Sequence, residues 1–316
     1  MERTNPYTQT TFASVDDVQQ ALAEHRYIAD RGLATAIYLA VARHKPLLLE
    51  GEPGVGKTEV ARVLADVLGT RLIRLQCYEG IDLATAVYEW NYARQLLYIR
   101  SLEGGDRGAN GSDGAGGSAA LKEVFSRDFL VERPLLQAIE PSLDRAPVLL
   151  IDELDRSDAE FEAYLLELLS DYQITIPELG PIRAAFPPIA VLTSNRTRDI
   201  HDALRRRCLY YWIEYPTLEK EYAIVRARVP EAPDQLARQV VGFVQALRGE
   251  DLFKAPGVAE TLDWLEALVA LDQTELTEQA VRDSLGALLK YQDDIQKVTA
   301  GNLLARLIEK VRGHHA

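Results

Sequence analysis

The sequence predicts an α/β protein with a five-stranded, mostly parallel sheet, followed by a smaller all-helical domain. Three observations support this fold class. Short apolar runs alternate with helical segments through the first two thirds of the chain, as a parallel sheet covered on both faces requires. A glycine-rich loop joins the first apolar run to an amphipathic helix. After Pro216 apolar residues recur only at helical spacing, so we expect one domain over residues 1–216 and a helical domain over residues 217–316.

The individual elements follow from local patterns. Five apolar runs predict the strands, at residues 47–49, 72–75, 148–151, 190–193 and 210–213. One helix is predicted to begin at Ser14, a second covers residues 30–43, and Ser157-Asp158-Ala159-Glu160 has the spacing of a capping box that begins a third. Alternation at residues 173–176, followed by turn residues at 177–181, predicts a β-hairpin.

Residues 103–120 read EGGDRGANGSDGAGGSAA and are almost all small or polar. Such a segment buries too little apolar surface to offset the entropy lost on ordering. We therefore expect a mobile loop there.

The loop after the first strand reads Gly51-Glu52-Pro53-Gly54-Val55-Gly56-Lys57-Thr58, a complete G-x-x-x-x-G-K-T phosphate loop. Its glycines keep side chains away, so that backbone N–H groups face phosphate oxygens at a helix N-terminus that favours negative charge. Lys57 is expected to reach the β and γ phosphates, and the Thr58 hydroxyl to hold Mg²⁺. The sequence therefore predicts a nucleoside triphosphate site, with contacts from Glu52, Pro53, Gly54, Val55, Gly56, Lys57, Thr58 and Glu59.

Polar side chains follow two later strands at the points where these end. Asp152 and Glu153 come directly after the third apolar run, and Asn195 follows the fourth. We expect Asp152 to hold Mg²⁺ through coordinated water, and Glu153 to orient and deprotonate the attacking water. Asn195 lies at the carboxyl end of its strand, where open α/β sheets bind ligands, and is expected to position the same water or to sense the γ-phosphate.

Three arginines, Arg205, Arg206 and Arg207, precede the fifth strand. Guanidinium groups are suited to spreading phosphoryl charge, and such a group is often supplied to the site by a neighbouring subunit. This cluster indicates that the protein acts as an assembly.

Composition argues against several classes of partner, although local basic patches remain possible. A formal net charge of -13 opposes general binding to nucleic acid or to anionic membrane surfaces. Cys77 and Cys208 are far apart and lack C-x-x-C spacing, so neither a disulfide framework nor a thiolate zinc site is predicted. The first residues do not resemble a signal peptide, and no run of 18 apolar residues occurs, so we expect a cytoplasmic protein without a membrane partner.

The order of these motifs resembles the AAA+ ATPases, and more narrowly their MoxR branch. Residues 76–97 and 170–180 are similar to the CoxD-like subgroup, which includes an ATPase implicated in maturing the molybdenum–copper centre of carbon monoxide dehydrogenase. The resemblance implies ATP as the nucleotide and a ring, commonly a hexamer, with ATP between subunits. It also implies a von Willebrand A-domain partner and a metalloenzyme client.

The resemblance assigns further roles by position. Residues 78–98 would form the insertion in helix two, and residues 173–184 the hairpin before sensor one. Arg207 or Arg205 would act on the ATP of a neighbouring subunit. Many relatives carry an arginine of sensor two in the lid, but this chain reads Lys254-Ala255-Pro256-Gly257-Val258, so sensor two is left unassigned.

The aromatic residues Tyr88, Trp90 and Tyr92 fit two interpretations, contact with a client or packing in the core.

Together these patterns predict an ATP-driven chaperone that remodels or activates a metalloenzyme. One alternative is a nucleic-acid motor, although the hairpin segment offers only Arg183 as a cation for a pore. The other is a nucleotide-dependent scaffold that hydrolyses slowly or not at all, which the presence of Glu153 opposes. Stimulation by DNA would favour the first alternative, and single-turnover kinetics would decide the second.

Overall fold

A computed structural model of the protein describes residues 12–105, 123–300 and 302–313. The described strands are β1 (Leu47–Gly51), β2 (Leu72–Gln76), β3 (Tyr88–Trp90), β4 (Leu130–Glu132), β5 (Val148–Asp152), β6 (Gln173–Ile176), β7 (Gly180–Arg183), β8 (Ile189–Ser194) and β9 (Leu209–Ile213). The described helices are α1 (Val15–Glu24), α2 (Arg31–Arg43), α3 (Lys57–Leu68), α4 (Leu83–Ala86), α5 (Tyr92–Gly105), α6 (Pro134–Ala138), α7 (Ala159–Asp171), α8 (Asp202–Arg205), α9 (Leu218–Arg228), α10 (Asp234–Arg248), α11 (Val258–Ala270), α12 (Glu278–Leu288), α13 (Gln292–Thr299) and α14 (Leu303–Gly313).

Within the described residues, five strands form the main sheet, in the order β2-β5-β8-β1-β9. β5 runs parallel to both of its neighbours, with Val148 opposite Leu72 on one side and Ile189 on the other. All five residues of β5 are buried, as expected for a parallel strand covered on both faces. The sheet and the helices that follow it confirm the predicted fold class.

The segment between β2 and β5 contains a ribbon that the apolar runs did not predict. β3 pairs antiparallel with β4, and Trp90 lies opposite Leu130. Trp90 is 7 % exposed and packs edge-on against Phe125, whereas Tyr92 at the start of α5 is 64 % exposed. Trp90 therefore belongs to the core and Tyr92 lies at the surface, and contact of these aromatic residues with a client stays a prediction.

Two helix boundaries in the structure differ from those that the sequence patterns predict, the end of α5 and the start of α7. α5 continues to Gly105, three residues into the segment that we expected to be a loop, and residues 106–120 lie outside the described residues. Asp158 rather than Ser157 caps α7, because the Asp158 carboxylate accepts a hydrogen bond from the Phe161 N–H (2.8 Å). The Ser157 hydroxyl instead donates to the Leu154 carbonyl (2.8 Å).

The hairpin prediction is confirmed. β6 and β7 pair antiparallel, with Gln173 opposite Arg183. Ile174, Ile176 and Ile182 are buried in the core beneath the hairpin, which explains the alternation seen in the sequence.

The helices α9 to α14 follow β9, and the described residues contain no strand after Ile213. Their shared core includes Phe243 and Trp264, whose ring centroids lie 5.3 Å apart. The Trp264 indole N–H donates to the Ser284 hydroxyl (2.8 Å), so the largest side chain of this core has its polar atom satisfied.

The described residues separate by contact into two compact units. One comprises Leu39–Leu48 and Leu68–Tyr210, and the other comprises Phe12–Tyr38, Leu49–Val67 and the chain from Tyr211 onward. The division into domains at residues 216 and 217 stays a prediction. Among the described helices, none combines the length and apolar character that crossing a bilayer requires.

Candidate nucleotide site

The phosphate loop connects β1 to α3, which begins at Lys57. Gly54 and Gly56 have φ values of +78° and +92°, in the left-handed region that favours glycine. These two residues let the chain curl ahead of the first turn of the helix, where the backbone N–H groups have no partner within the helix. The positive φ of both glycines is the loop conformation that the motif requires, and the binding of phosphate by the loop N–H groups stays a prediction.

The Lys57 side chain is buried against its own loop and is 7 % exposed. Its ammonium donates to the carbonyls of Gly51 (2.9 Å) and Glu52 (2.8 Å). Thr58, the next residue of the helix, is exposed. These two carbonyls keep the Lys57 ammonium beside the phosphate loop. That is the position from which a lysine binds phosphate oxygens.

Asp152 ends β5 and is 2 % exposed. The Thr193 hydroxyl donates to its Oδ1 (2.6 Å), and Arg74 donates to Oδ2 from Nη2 (2.6 Å) and Nε (3.1 Å). Each carboxylate oxygen therefore has a donor, which makes burial of this charge tolerable. The side chain is fixed in one orientation at the carboxyl end of the strand.

Glu153 follows in a left-handed conformation, with φ of +54°. This conformation is uncommon outside glycine. Its N–H donates to the Thr193 hydroxyl (2.9 Å), and its carboxylate lies 3.3 Å from Nη1 of Arg156. The side chain of Glu153 is 34 % exposed, in contrast to Asp152. One hydroxyl thus holds both acidic residues, as donor to Asp152 and as acceptor from Glu153.

Asp155, which the sequence patterns did not single out, anchors the segment that contains Asn195. Its carboxylate accepts hydrogen bonds from the Asn195 N–H (3.2 Å), the Thr197 N–H (2.9 Å) and the Thr197 hydroxyl (2.6 Å). Burial acts to raise the pKa of Asp155, but the hydrogen bonds donated by Thr197 and Asn195 outweigh it and hold the pKa below its usual value. The structure therefore ties Asn195 to the turn that follows Glu153.

The arginine cluster lies at the end of α8. Arg206 and Arg207 are exposed, whereas Arg205 is half-buried, with its Cζ 5.7 Å from the centre of the Tyr210 ring. Upstream of the cluster, the buried Glu162 carboxylate accepts from the His201 N–H (2.7 Å) and pairs with Arg198. These contacts fasten the segment that leads into α8.

The thiols of both cysteines have raised pKa values. Burial, helped by the negative charge of Asp152, raises the pKa of the Cys77 thiol to about 12. Burial alone raises the pKa of Cys208 to about 12. A thiol with so high a pKa is protonated at neutral pH, which disfavours a thiolate nucleophile at either position.

A family model described as the AAA domain of the dynein-related subfamily matches residues 46–208, more than half of the 316 residues. The chain belongs to this AAA family. AAA domains are ATPases that bind nucleotide with Mg²⁺ and commonly assemble into rings. The matched range contains both the phosphate loop and the acidic end of β5.

Proteins similar to this AAA chain include uncharacterized proteins of Staphylococcus aureus strains NCTC 8325 / PS 47 and COL. Each is 22 % identical over 254 residues, which are 77 % of this chain and 85 % of the relative. Solved structures that it resembles include the RuvB Holliday junction branch migration motor of Thermotoga maritima, at 18 % identity and a TM-score of 0.45, covering 94 % of this chain and 80 % of that chain. A mutant of the same RuvB gives 18 % identity and a TM-score of 0.47, with coverages of 92 % and 75 %.

Thr193, Asp155 and Arg74 of the AAA domain are the polar residues that sequence reasoning missed. Thr193 lies in the fourth predicted strand, two residues before Asn195, and its pattern assigns it no role of its own; Asp155 lies inside the short 3-10 turn after β5. Exposed and buried residues alternate along β2, with Ile73 and Leu75 buried and Arg74 exposed between them. This alternation is the sequence signal that could have singled out Arg74. The roles of the predicted site residues in nucleotide binding and turnover stay predictions.

Proposed function

We propose that this AAA protein hydrolyses ATP with the phosphate loop and the acidic end of β5. The observation that carries the proposal is the arrangement around Thr193. The Thr193 hydroxyl donates to the buried carboxylate of Asp152 and accepts from the backbone N–H of Glu153. The Asp152 carboxylate is therefore fixed, whereas the Glu153 side chain is held only through its backbone here and is 34 % exposed to solvent. General base catalysis requires a carboxylate that can meet water, which suits Glu153 and not Asp152.

The remaining roles follow from position and chemistry. Loop N–H groups and Lys57 bind the phosphates, and Asn195 orients the attacking water or senses the γ-phosphate. The nucleotide contacts run through the loop and into α3, at Glu52, Pro53, Gly54, Val55, Gly56, Lys57, Thr58 and Glu59.

The side chains of Thr58 and Asp152 have the chemistry of Mg²⁺ ligands. Thr58 offers a hydroxyl and Asp152 a carboxylate, and Mg²⁺ prefers oxygen ligands and retains several waters. Thr58 would hold the ion directly, and Asp152 would hold it through water. When bound, Mg²⁺ offsets the negative charge that the β and γ phosphates carry.

Turnover is proposed to need a second protomer. Arg207 is exposed, two residues after the end of α8, whereas Arg205 is half-buried against Tyr210, so Arg207 is better placed to reach the nucleotide of a neighbour. A guanidinium supplied in trans contributes roughly 10³ to 10⁵ in rate. A ring, commonly a hexamer in this family, provides such an interface at every subunit.

The physiological role is proposed to be activation of a metalloenzyme, as in the MoxR branch and its CoxD-like subgroup, together with a von Willebrand A-domain partner. The support is the similarity of residues 76–97 and 170–180 to that subgroup. The test is reconstitution with an unloaded molybdenum–copper carbon monoxide dehydrogenase. Recovery of dehydrogenase activity should require both this protein and ATP, and recovery at the same rate without ATP would contradict the role.

Hydrolysis is tested by steady-state phosphate release with Mg²⁺ and ATP. Glu153→Gln should lower kcat by about 10² or more, because the amide cannot accept a proton, while ATP binding persists. Glu160→Gln, an exposed change in the first turn of α7, is the matched control and should keep the parental rate. An inactive parental protein, or a Glu153→Gln variant with the parental kcat, would contradict the proposal.

A further inference from the structure

The first turn of α11 lies on the phosphate loop. The N–H groups of Val258 and Ala259 both donate to the Gly54 carbonyl, at 2.9 and 3.2 Å. Helix N-terminal N–H groups have no partner within their own helix, so the Gly54 carbonyl satisfies two of them. This contact joins the helical part of the chain to the loop by main-chain atoms alone.

Two glycines allow the contact. A Cβ on Gly257 would lie 2.8 Å from both the Gly54 Cα and the Pro53 carbonyl oxygen, and a Cβ on Gly54 would lie 3.1 Å from the Gly257 Cα. Gly257 itself is extended, with φ of -81° and ψ of -177°, a conformation open to any residue. Glycine is therefore required there by the approach of the two backbones and not by its own dihedral angles.

The neighbouring side chains hold this turn in position. The Glu260 carboxylate accepts from the Gly257 N–H (3.0 Å), and Arg248 Nε donates to the Pro256 carbonyl (2.7 Å). Lys254, the nearest cation in the same stretch, is exposed, and its N–H donates to Asp294 (3.2 Å). Residues 254–258 contain no arginine that could act as sensor two. The contact with the phosphate loop in this turn is made by main-chain atoms instead.

We propose that Gly257, Val258 and Ala259 form a main-chain nucleotide sensor. The Gly54 carbonyl belongs to the same planar peptide unit as the Val55 N–H, and the two groups point in opposite directions. A phosphate bound at the N–H end polarises the carbonyl and strengthens the two hydrogen bonds from α11. Bound nucleotide therefore tightens the start of α11 on the loop, and the helix in turn holds the loop ready for phosphate.

This proposal rests on nucleotide binding at the phosphate loop, and amide hydrogen exchange with and without Mg²⁺ and ADP tests the two separately. In the parental protein, ADP should slow exchange at Val258 and Ala259 by about tenfold or more. Gly257→Ala should abolish this effect and raise the Kd for ADP by about tenfold. Gly286→Ala is the matched control, because a Cβ at that position in α12 meets nothing within 4 Å.

The outcomes separate the two proposals. If the parental protein and Gly286→Ala do not bind ADP, the proposed function fails and the sensor fails with it. If they bind ADP but exchange at Val258 and Ala259 is unchanged, or if Gly257→Ala binds equally well, the sensor alone is wrong. Should Gly257→Ala not fold, the exchange rates of the parental protein decide the question by themselves.

Discussion

Arg248 forms a buried ion pair with Glu221 and also donates to the Pro256 carbonyl, just before α11. The contribution of this ion pair to stability can be measured directly. Arg248 donates to Glu221 from Nη1 (2.6 Å) and Nη2 (2.7 Å), and the two side chains are 8 % and 0 % exposed. Arg248→Met removes the cation and leaves the carboxylate buried with only neutral donors, Thr261 and Gln245. Breaking a buried pair from one side costs about 3–5 kcal/mol, so we expect a loss of that size in the free energy of unfolding.

Urea unfolding at 25 °C, followed by circular dichroism, measures this loss. Arg282→Met is the matched control, since Arg282 and Glu278 form an exposed pair (39 % and 51 %) that should contribute less than about 1 kcal/mol. The double variant Glu221→Leu/Arg248→Met should be more stable than Arg248→Met alone, because no unpaired charge remains. A cost for Arg248→Met no larger than that for Arg282→Met would refute the reasoning.

Two further predictions concern single residues. Thr193→Val removes the hydroxyl shared by Asp152 and Glu153, so kcat should fall by about tenfold or more with little change in the KM for ATP, and stability should fall by about 1–3 kcal/mol. Phosphate-release kinetics and urea unfolding check this, and an unchanged kcat would contradict it. Burial acts to raise the pKa of Asp30, but hydrogen bonds from Lys220 and Tyr211 lower it from 3.8 to about 2. Because the folded pKa is depressed, the carboxylate stabilises the protein above about pH 4, and this contribution is lost as the pH falls towards 2. Its size is about 1 kcal/mol after allowance for the 41 % exposed side chain, and the difference in unfolding free energy between the parental protein and Asp30→Asn should shrink over that interval.

The sequence predicts those residues of the candidate site whose chemistry requires particular residue types at a fixed spacing. A phosphate loop needs its glycines and lysine at set spacing, and a buried strand that ends in two carboxylates stands out from its apolar context. The left-handed Gly54 and Gly56 and the buried Asp152 agree with what those motifs imply.

The supporting residues were not predictable in the same way. Thr193 and Asp152 are 41 positions apart, and only the parallel pairing of β5 with β8 brings their strands together. β3 and β4 have three residues each, too few to show a period of two. Trp90 and Tyr92 look alike in the sequence, and their difference in exposure arises from packing against β4 and Phe125.

Mixing two inactive variants tests most directly whether ATP is hydrolysed by groups from two protomers. Glu153→Gln keeps the arginine and lacks the base, whereas Arg207→Ala keeps the base and lacks the arginine. In an equimolar random ring, about a quarter of the interfaces regain both groups, so we expect about a quarter of the parental rate per protomer. A mixture no faster than the mean of the two separate variants would contradict the trans-acting site.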